Sequence, residues 1–543
     1  MLGQKYISWQ VASVLAGGLI CLPIATLFYL SFNSHDSLQV WTHLSETVLA
    51  DYTVNSLKLV AGVAVLSGFI GVGCAWLLSQ YSFAGSRLLN WALLLPLAIP
   101  TYIIAYSYTG LLDIAGPIQS YIRDSYELRF GEYWFPEIRS MGGAIFVMSF
   151  VLYPYVYLLA RASFIEQSHQ LRDVAQLMGH SRKRAFFKIS LPIARPAIVA
   201  GVSLVLMETL ADFGAVSYFG VSTFTTGIFR TWYGLDSVNG AAQLALMLLS
   251  FVVILMVIEK QSRRRARYHT KGNTHPIKNH LTGVKAICVL IACATPLIVG
   301  FIVPVLQLLN WASQTYTQLY EASFWDLVVN TFSLAIFTAI LALVLAILLA
   351  YSHRIVANRL TTLARQAASL GYAIPGIVIA VGTLIPLARL DNTIDAWFRS
   401  HFDFSTGLLI SGTVSALVIA YLVRFLSVSL RTVESGLIGV KPNMDQASMS
   451  LGHSPLTTLR QIHIPMISSS LLTAILIVFV DVMKELPATL ILRPFNFNTL
   501  AVRAYELASD ERLADAAMSS LTIVLVGLIP VILLTRAINK TSH

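Results

Sequence analysis

Charge is scarce in this chain. Its 27 Asp and Glu and 37 Lys and Arg make up 12% of 543 residues, against 56% hydrophobic residues. With a mean hydropathy of +0.70, so little polar surface excludes a water-soluble globule of this length. Cysteine is nearly missing as well: Cys21, Cys74, Cys288 and Cys293 all fall inside apolar runs. They lack the paired spacing of a zinc site and read as packing residues. No Gly-x-x-x-x-Gly-Lys-Ser/Thr phosphate loop occurs, nor even a Gly-Lys dipeptide, so this chain does not cradle ATP by that route. A His-Glu-x-x-His zinc pair and a Gly-x-Ser-x-Gly nucleophile elbow are also missing, which leaves no visible catalytic constellation and argues against an enzyme. The net charge of +10 has no basic domain or aromatic platform beside it, so nucleic acid is not an expected partner.

What the sequence does have is apolar runs approaching the length of a membrane crossing, about 20 residues. Only helices and closed barrels satisfy every backbone group in hydrocarbon, and these runs do not alternate as barrel strands would. The fold class expected is therefore all-α, a polytopic membrane protein with about twelve spans. Candidates are 10 to 32, 55 to 79, 90 to 112, 142 to 163, 194 to 217 and 240 to 260, followed by 284 to 308, 327 to 351, 367 to 390, 407 to 430, 467 to 487 and 518 to 537. The run after Lys5 reaches Phe32 without a small-residue cleavage pattern and is expected to stay as the first helix. The basic residues cluster between apolar runs, above all Arg263, Arg264, Arg265 and Arg267. An even number of spans puts both termini on one side, and the positive-inside rule places that side in the cytoplasm.

Shifting the chain against itself by about 275 residues brings out an internal repeat. Ala98-Ile99-Pro100 meets Ala373-Ile374-Pro375, Asn55 meets Asn330, and Gly179-His180-Ser181 meets Gly452-His453-Ser454. Pro192, Ala215, Phe224, Thr226 and Arg230 likewise meet Pro465, Ala488, Phe497, Thr499 and Arg503. The expected organisation is a first repeat over 1–262, a basic linker over 263–283 and a second repeat over 284–543. An even number of spans per repeat gives both halves the same orientation, whereas inverted repeats need odd numbers. An ion-coupled secondary transporter is then an alternative only in its parallel-repeat form.

The loop between the fourth and fifth spans of each repeat, 164–193 and 431–466, is patterned. Asp173-Val174-Ala175, Gly179 and Ile189-Ser190-Leu191-Pro192 recur as Gln446-Ala447-Ser448, Gly452 and Ile462-His463-Ile464-Pro465. A short helix ending at a glycine and leading to a proline at the next helix makes a rigid knob. This pattern resembles the glutamate-alanine-alanine loop of ABC-importer permeases, and the longer strings Phe219 to Arg230 and Leu492 to Leu500 resemble the fused two-repeat permeases of ferric-iron importers. Aspartate stands for glutamate in the first copy, and the second reads Gln-Ala-Ser with Ile464 in place of leucine.

The resemblance implies a type I ABC-importer fold in the bacterial inner membrane. It implies coupling-loop contacts at Asp173, Ala175, Gly179, Ile189, Leu191, Pro192, Gln446, Ala447, Gly452, Ile462 and Pro465. It further implies two separate ATPase subunits that bind ATP and Mg, no cofactor on this chain, and a periplasmic protein that delivers Fe(III). Thiamine permeases share the layout and remain the alternative cargo within the class. Intramembrane ionisable groups are costly and usually functional, which singles out Glu208, Asp212, Asp481 and Glu485 as a substrate path, with no metal site fixed. Each pair is spaced i, i+4 and is expected on one helix face.

Overall fold

The computed structural model describes residues 2–32, 37–129, 131–167, 182–264 and 279–541. A helix stands at each of the twelve expected positions. Among the described residues nine helices are long and apolar enough to cross a membrane, two bent pairs are apolar enough when taken together, and Ala517–Leu533 is a shorter apolar helix. The bends fall at Ser86–Ala98 with Thr101–Tyr126, by 93°, and at Pro455–Met466 with Ser468–Met483, by 80°. Pro100 opens the second half of the first pair; its preceding residue, Ile99, is driven to extended backbone with ψ 123°, as the residue before a proline must be. The ninth expected span differs most from its expectation: the helix starts only at Gly376, behind Pro375, and runs on to Phe402.

The chain packs as two compact units that do not follow the repeat boundary. One comprises Met1–Thr47, Gly227–Leu249 and Thr317–Arg503; the other comprises Val48–Thr226, Ser250–Tyr316 and Ala504–His543. Each unit thus takes most of one repeat and the first span of the other.

In the first unit, Ala322–Ile355, Val414–Ile438 and Ser468–Met483 pack against one another. Ala335, Ala339, Ala342 and Ala346 are all fully buried, a small-residue seam at three- and four-residue spacing. Lipid tails are as apolar as leucine, so helix association here gains from close van der Waals approach, which small residues permit. The helix Leu2–Phe32 joins this unit by packing on Arg359–Ala368 and Gly376–Phe402, and a side chain at Gly17 would meet Cα of Ala364 at 2.8 Å.

In the second unit the helix Met141–Glu166 packs between Leu49–Gln80 and Leu191–Ala211. Val156 is held from both sides by glycine. A Cβ on Gly71 would lie 2.7 Å from Cβ of Val156, and one on Gly201 would lie 2.7 Å from its Cα. Beyond the helix ends, Arg139 clamps Glu511 with two bonds of 2.7 and 2.8 Å, lies 3.4 Å from Asp113 and stacks over Tyr218. The guanidinium holds the Glu511 carboxyl below its usual range.

Local conformations recur at the spacing seen in the sequence. Asn55 donates its amide to the Ser222 carbonyl, as Asn330 does to Asn498. Glu127 and Asp403 both take left-handed backbone, as do Asp236 and Glu511. One-turn π segments occupy Phe186–Ser190 and Leu459–His463, just before Pro192 and Pro465. A proline lacks the N–H for the ordinary helical bond and crowds the carbonyl four residues back, and a π turn relieves both.

Overpacking a tight helix crossing costs about 1–3 kcal/mol. Gly201→Leu and Gly71→Leu should each lower the temperature at which detergent-solubilised protein precipitates, while Gly73→Leu, where no described residue lies within 4 Å of an added Cβ, should not. Equal shifts at all three positions would refute the glycine account of this packing.

Candidate functional site: the second loop and the capped helix breaks

Of the expected coupling residues, Asp173, Ala175 and Gly179 lie outside the described residues. Ile189 sits in the π segment of the first loop, while Leu191 and Pro192 open the helix Leu191–Ala211. The buried Gln167 side chain donates to the Ser190 carbonyl at 3.0 Å, tying the end of one span to the start of the next.

The second loop is described throughout, and it is built as a mounted knob. Pro442–Ser450 is a short helix with Gln446 and Ala447 on its exposed side. It closes at Gly452, whose φ is +79°. His453 N–H reaches back to the Ser448 carbonyl at 3.2 Å, the six-to-one bond of a Schellman turn that favours glycine at the left-handed position. Ser454 then caps the next helix by accepting from the Thr457 amide. Ile462 lies half-buried in the π segment, and Pro465 is exposed.

Three side chains that spacing alone did not single out hold this helix to the membrane bundle. Arg354, in the last turn of Ala322–Ile355, donates from Nε to Asp445 Oδ2 at 2.9 Å and from Nη2 to the same oxygen at 2.7 Å. The same guanidinium donates to the Leu437 and Val440 carbonyls at 2.6 and 2.8 Å. Fully buried His463 meets Asp445 Oδ1 through Nε2 at 2.6 Å, and the Tyr351 hydroxyl donates to the Pro455 carbonyl at 2.8 Å. Bidentate, charge-assisted contacts of this kind fix orientation as well as position. The only signal for them in the sequence was the pair of ionisable side chains flanking the motif. His463 occupies the place that Ser190 takes in the first copy.

Above the mount the surface is apolar: Ile438 is 84% exposed and Leu451 77%, with Met444 and Leu456 beside them in sequence and also exposed. Large exposed apolar side chains on a polar-anchored turn suit contact with a protein partner or with lipid.

The four acidic residues do not sit as the i, i+4 spacing predicts. The fifth spans stop short, Leu191–Ala211 at Asp212 and Ser468–Met483 at Lys484, and each is followed by a short second helix. Asp212 and Glu485 therefore lie beyond their helices, where they cap the next ones. Asp212 accepts from the Ala215 and Val216 amides at 3.0 and 3.2 Å and from the Thr101 hydroxyl. Glu485 accepts from the Ala488 and Thr489 amides, each at 3.2 Å, and from Arg424 Nη1 at 2.7 Å. The Glu485 end of that ion pair is buried, its side chain 2% exposed, while Arg424 is half-buried at 13%. A Cβ on Gly376 would run into both Arg424 and Glu485, so the pair relies on glycine there. Free amides at a helix start attract carboxylates, and Pro487 stands at the first position of the second short helix, where its missing N–H leaves nothing unsatisfied. Glu208 and Asp481 remain on the helices, half-buried; Asp481 pairs with Lys484 at 2.9 Å. Among the described residues no three His, Cys, Asp or Glu side chains converge as a metal site.

Membrane spans broken by capped turns, and a mounted knob between the fourth and fifth of them, are features of a transport permease. Residues 67–268 match the family described as binding-protein-dependent transport system inner membrane component. Over that stretch the chain is similar to inner-membrane permease components, and its apolar helices make it a multi-pass, all-helical membrane protein. Over 495 residues, 90% of each chain, it is 26% identical to the Fe(3+)-transport system permease protein FbpB 2 of Haemophilus influenzae. It is also 29% identical over 231 residues to the molybdenum transport system permease protein ModB of the same species, which covers 98% of that protein and 40% of this chain. The sulfate transport system permease protein CysT of Escherichia coli is 26% identical over 201 residues, 37% of this chain and 69% of that one.

No described residue lies within 4 Å of where a side chain on Gly452 would begin, so replacing it acts through backbone strain alone, roughly 1–2 kcal/mol for a β-branched residue in the left-handed region. Gly452→Val should reach the membrane at normal abundance yet lose ATPase association several-fold in co-purification. Normal association would show that the turn does not set the knob. Asp445→Asn should weaken association as well, by freeing Arg354 and His463; unchanged association would show the mount to be dispensable.

Proposed function

We propose that the chain passes Fe(III), handed over by a periplasmic binding protein, through the inner membrane by alternating access, driven by two separate ATPase subunits. The observation that carries the cargo assignment is the likeness to a ferric-iron permease along nine-tenths of both chains; the relatives named for molybdenum and sulfate match about two-fifths of this chain or less. The knob at Pro442–Ser450 would seat in one ATPase and its first-repeat counterpart, built on Asp173, Ala175 and Gly179, in the other. The excess of basic residues between spans supports cytoplasmic loops and termini.

Hard carboxylate oxygens suit a ferric ion. Glu208 and Asp481 are the groups we assign to the path, because they stay on the transmembrane helices and are partly exposed. Asp212 and Glu485 then shape the path by holding the helix breaks, rather than by touching the ion. The two roles separate by measurement. Glu208→Gln should leave membrane abundance and basal ATPase association intact while lowering iron uptake into proteoliposomes severalfold. Glu485→Gln removes the counter-charge of half-buried Arg424 at the capped break and should lower abundance itself. Stimulation of ATP hydrolysis by a ferric-loaded binding protein, and not by a molybdate-loaded one, supports iron. Uptake at the unmutated rate in Glu208→Gln with Asp481→Asn would remove these residues from the path.

A further inference from the structure

The fourth span of the first repeat ends on a cation whose counterpart in the second repeat is a neutralised carboxylate. The helices Met141–Glu166 and Val414–Ile438 correspond at a shift of 273 residues, and both start behind a hydroxyl cap, Ser140 and Thr413. Near the end of the second of these, Glu434 meets Arg365 of the short helix Arg359–Ala368 at 3.2 Å. Arg161 stands at the place of Glu434, and Asn90 at the place of Arg365, each of these two lying 10 residues before the matching prolines Pro100 and Pro375. In the first repeat the cation has therefore moved to the other helix, and a neutral amide stands where its carboxylate would be.

The two positions still adjoin. The Tyr157 hydroxyl, one helical turn before Arg161 on the same face, donates to the Asn90 carbonyl at 3.0 Å, which brings that face of the span against the short helix Ser86–Ala92. Arg161 is half-buried. Its Nε is buried with no acceptor among the described residues, and the Asn90 side-chain oxygen is buried with no donor among them. Buried polar atoms left without partners at one contact point to a polar occupant, and a guanidinium without a carboxylate calls for an anion. The Asn90 amide, turned through half a revolution, adds N–H donors of its own.

The other described charged side chains at this end of the surrounding elements are all basic: Arg87 on the short helix, Arg184 and Lys188 ahead of the fifth span, Arg195 within it, and Lys285 on Gly283–Leu297. Exposed apolar side chains, Leu88, Phe187 and Val284, stand among them. Basic and apolar surface interleaved where helices leave the bilayer suits a phospholipid, whose phosphate meets the cations while its acyl chains cover the apolar side chains. A free phosphate ion has no use for the second kind of contact. We propose that Arg161 and Asn90 hold the phosphate of an anionic phospholipid, which supplies to the first repeat the negative charge that Glu434 supplies to the second.

The test titrates the full-length permease in detergent with phosphatidylglycerol, phosphatidylcholine or inorganic phosphate, and reads native mass spectra and thermal unfolding. Phosphatidylglycerol should stay bound one-to-one and raise the unfolding temperature, as a ligand of the folded state does, whereas the other two at the same concentration should do neither. Arg161→Gln should lower the bound phosphatidylglycerol severalfold. Arg161→Lys, which keeps the charge, should retain most of it, and Arg431→Gln, which removes an exposed charge from the fourth span of the second repeat, should not change it. Asn90→Glu should rebuild an internal ion pair, stabilising the lipid-free protein and abolishing its response to phosphatidylglycerol. Equal retention by the unmutated protein and Arg161→Gln, both eluting as folded in size-exclusion chromatography, would overturn the proposal. If Arg161→Gln does not fold, an undiminished response of Asn90→Glu to phosphatidylglycerol overturns it instead. Equal stabilisation by inorganic phosphate would also overturn it, by assigning the site to a free anion.

Discussion

Hydrocarbon offers no hydrogen bonds, so a helix that breaks inside a membrane must find partners for its freed amides and carbonyls within the protein. The rest of this structure follows from how two such breaks are satisfied. Asp212 and Glu485 each turn a carboxylate onto the amides of the short helix that follows, and each is held in turn by a different neighbour, a threonine hydroxyl in one unit and a half-buried arginine in the other. The charged version needs its counter-ion, and the counter-ion needs the space that Gly376 leaves. The interruptions can persist in lipid because carboxylates close them.

The same logic governs the second loop. A knob transmits force only if it cannot rock on its base. Arg354 commits its guanidinium donors to Asp445 and to two carbonyls of the preceding turn, and buried His463 braces Asp445 from the other side. The exposed apolar side chains at Ile438 and Leu451 therefore sit on a base held by short charge-assisted contacts, close to the end of a 34-residue transmembrane helix. Displacement of the knob by a partner would be delivered to that helix through Arg354.

Much of this was legible in the sequence. The apolar runs marked all twelve helix positions because in lipid the need for intrahelical bonding and the need for apolar surface coincide. The repeat was legible because glycines, prolines and capping side chains recur where backbone geometry recurs, as Asn55 and Asn330 show. What misled was the assumption that an acidic i, i+4 pair lies on one continuous helix; Asp212-Phe213-Gly214 and Glu485-Leu486-Pro487 both end the helix, and the proline was the warning. The mount was missed because Arg354 and Asp445 are 91 residues apart, a separation at which spacing carries no information. Nor could spacing foretell that the packing units exchange their first spans across the repeats.

The central claim is that the helix Pro442–Ser450 is the surface through which ATP hydrolysis reaches the membrane helices. A single cysteine at exposed Ala447, in an otherwise cysteine-free permease, tests it most directly by cross-linking to cysteines placed across the surface of the ATPase subunit in membranes. The account predicts a cross-link formed in high yield at one ATPase cleft and loss of ATP-driven uptake once it forms, both reversed by reduction. Uptake that continues at full rate with the cross-link in place, or absence of any cross-link from Ala447 while transport proceeds, would contradict it.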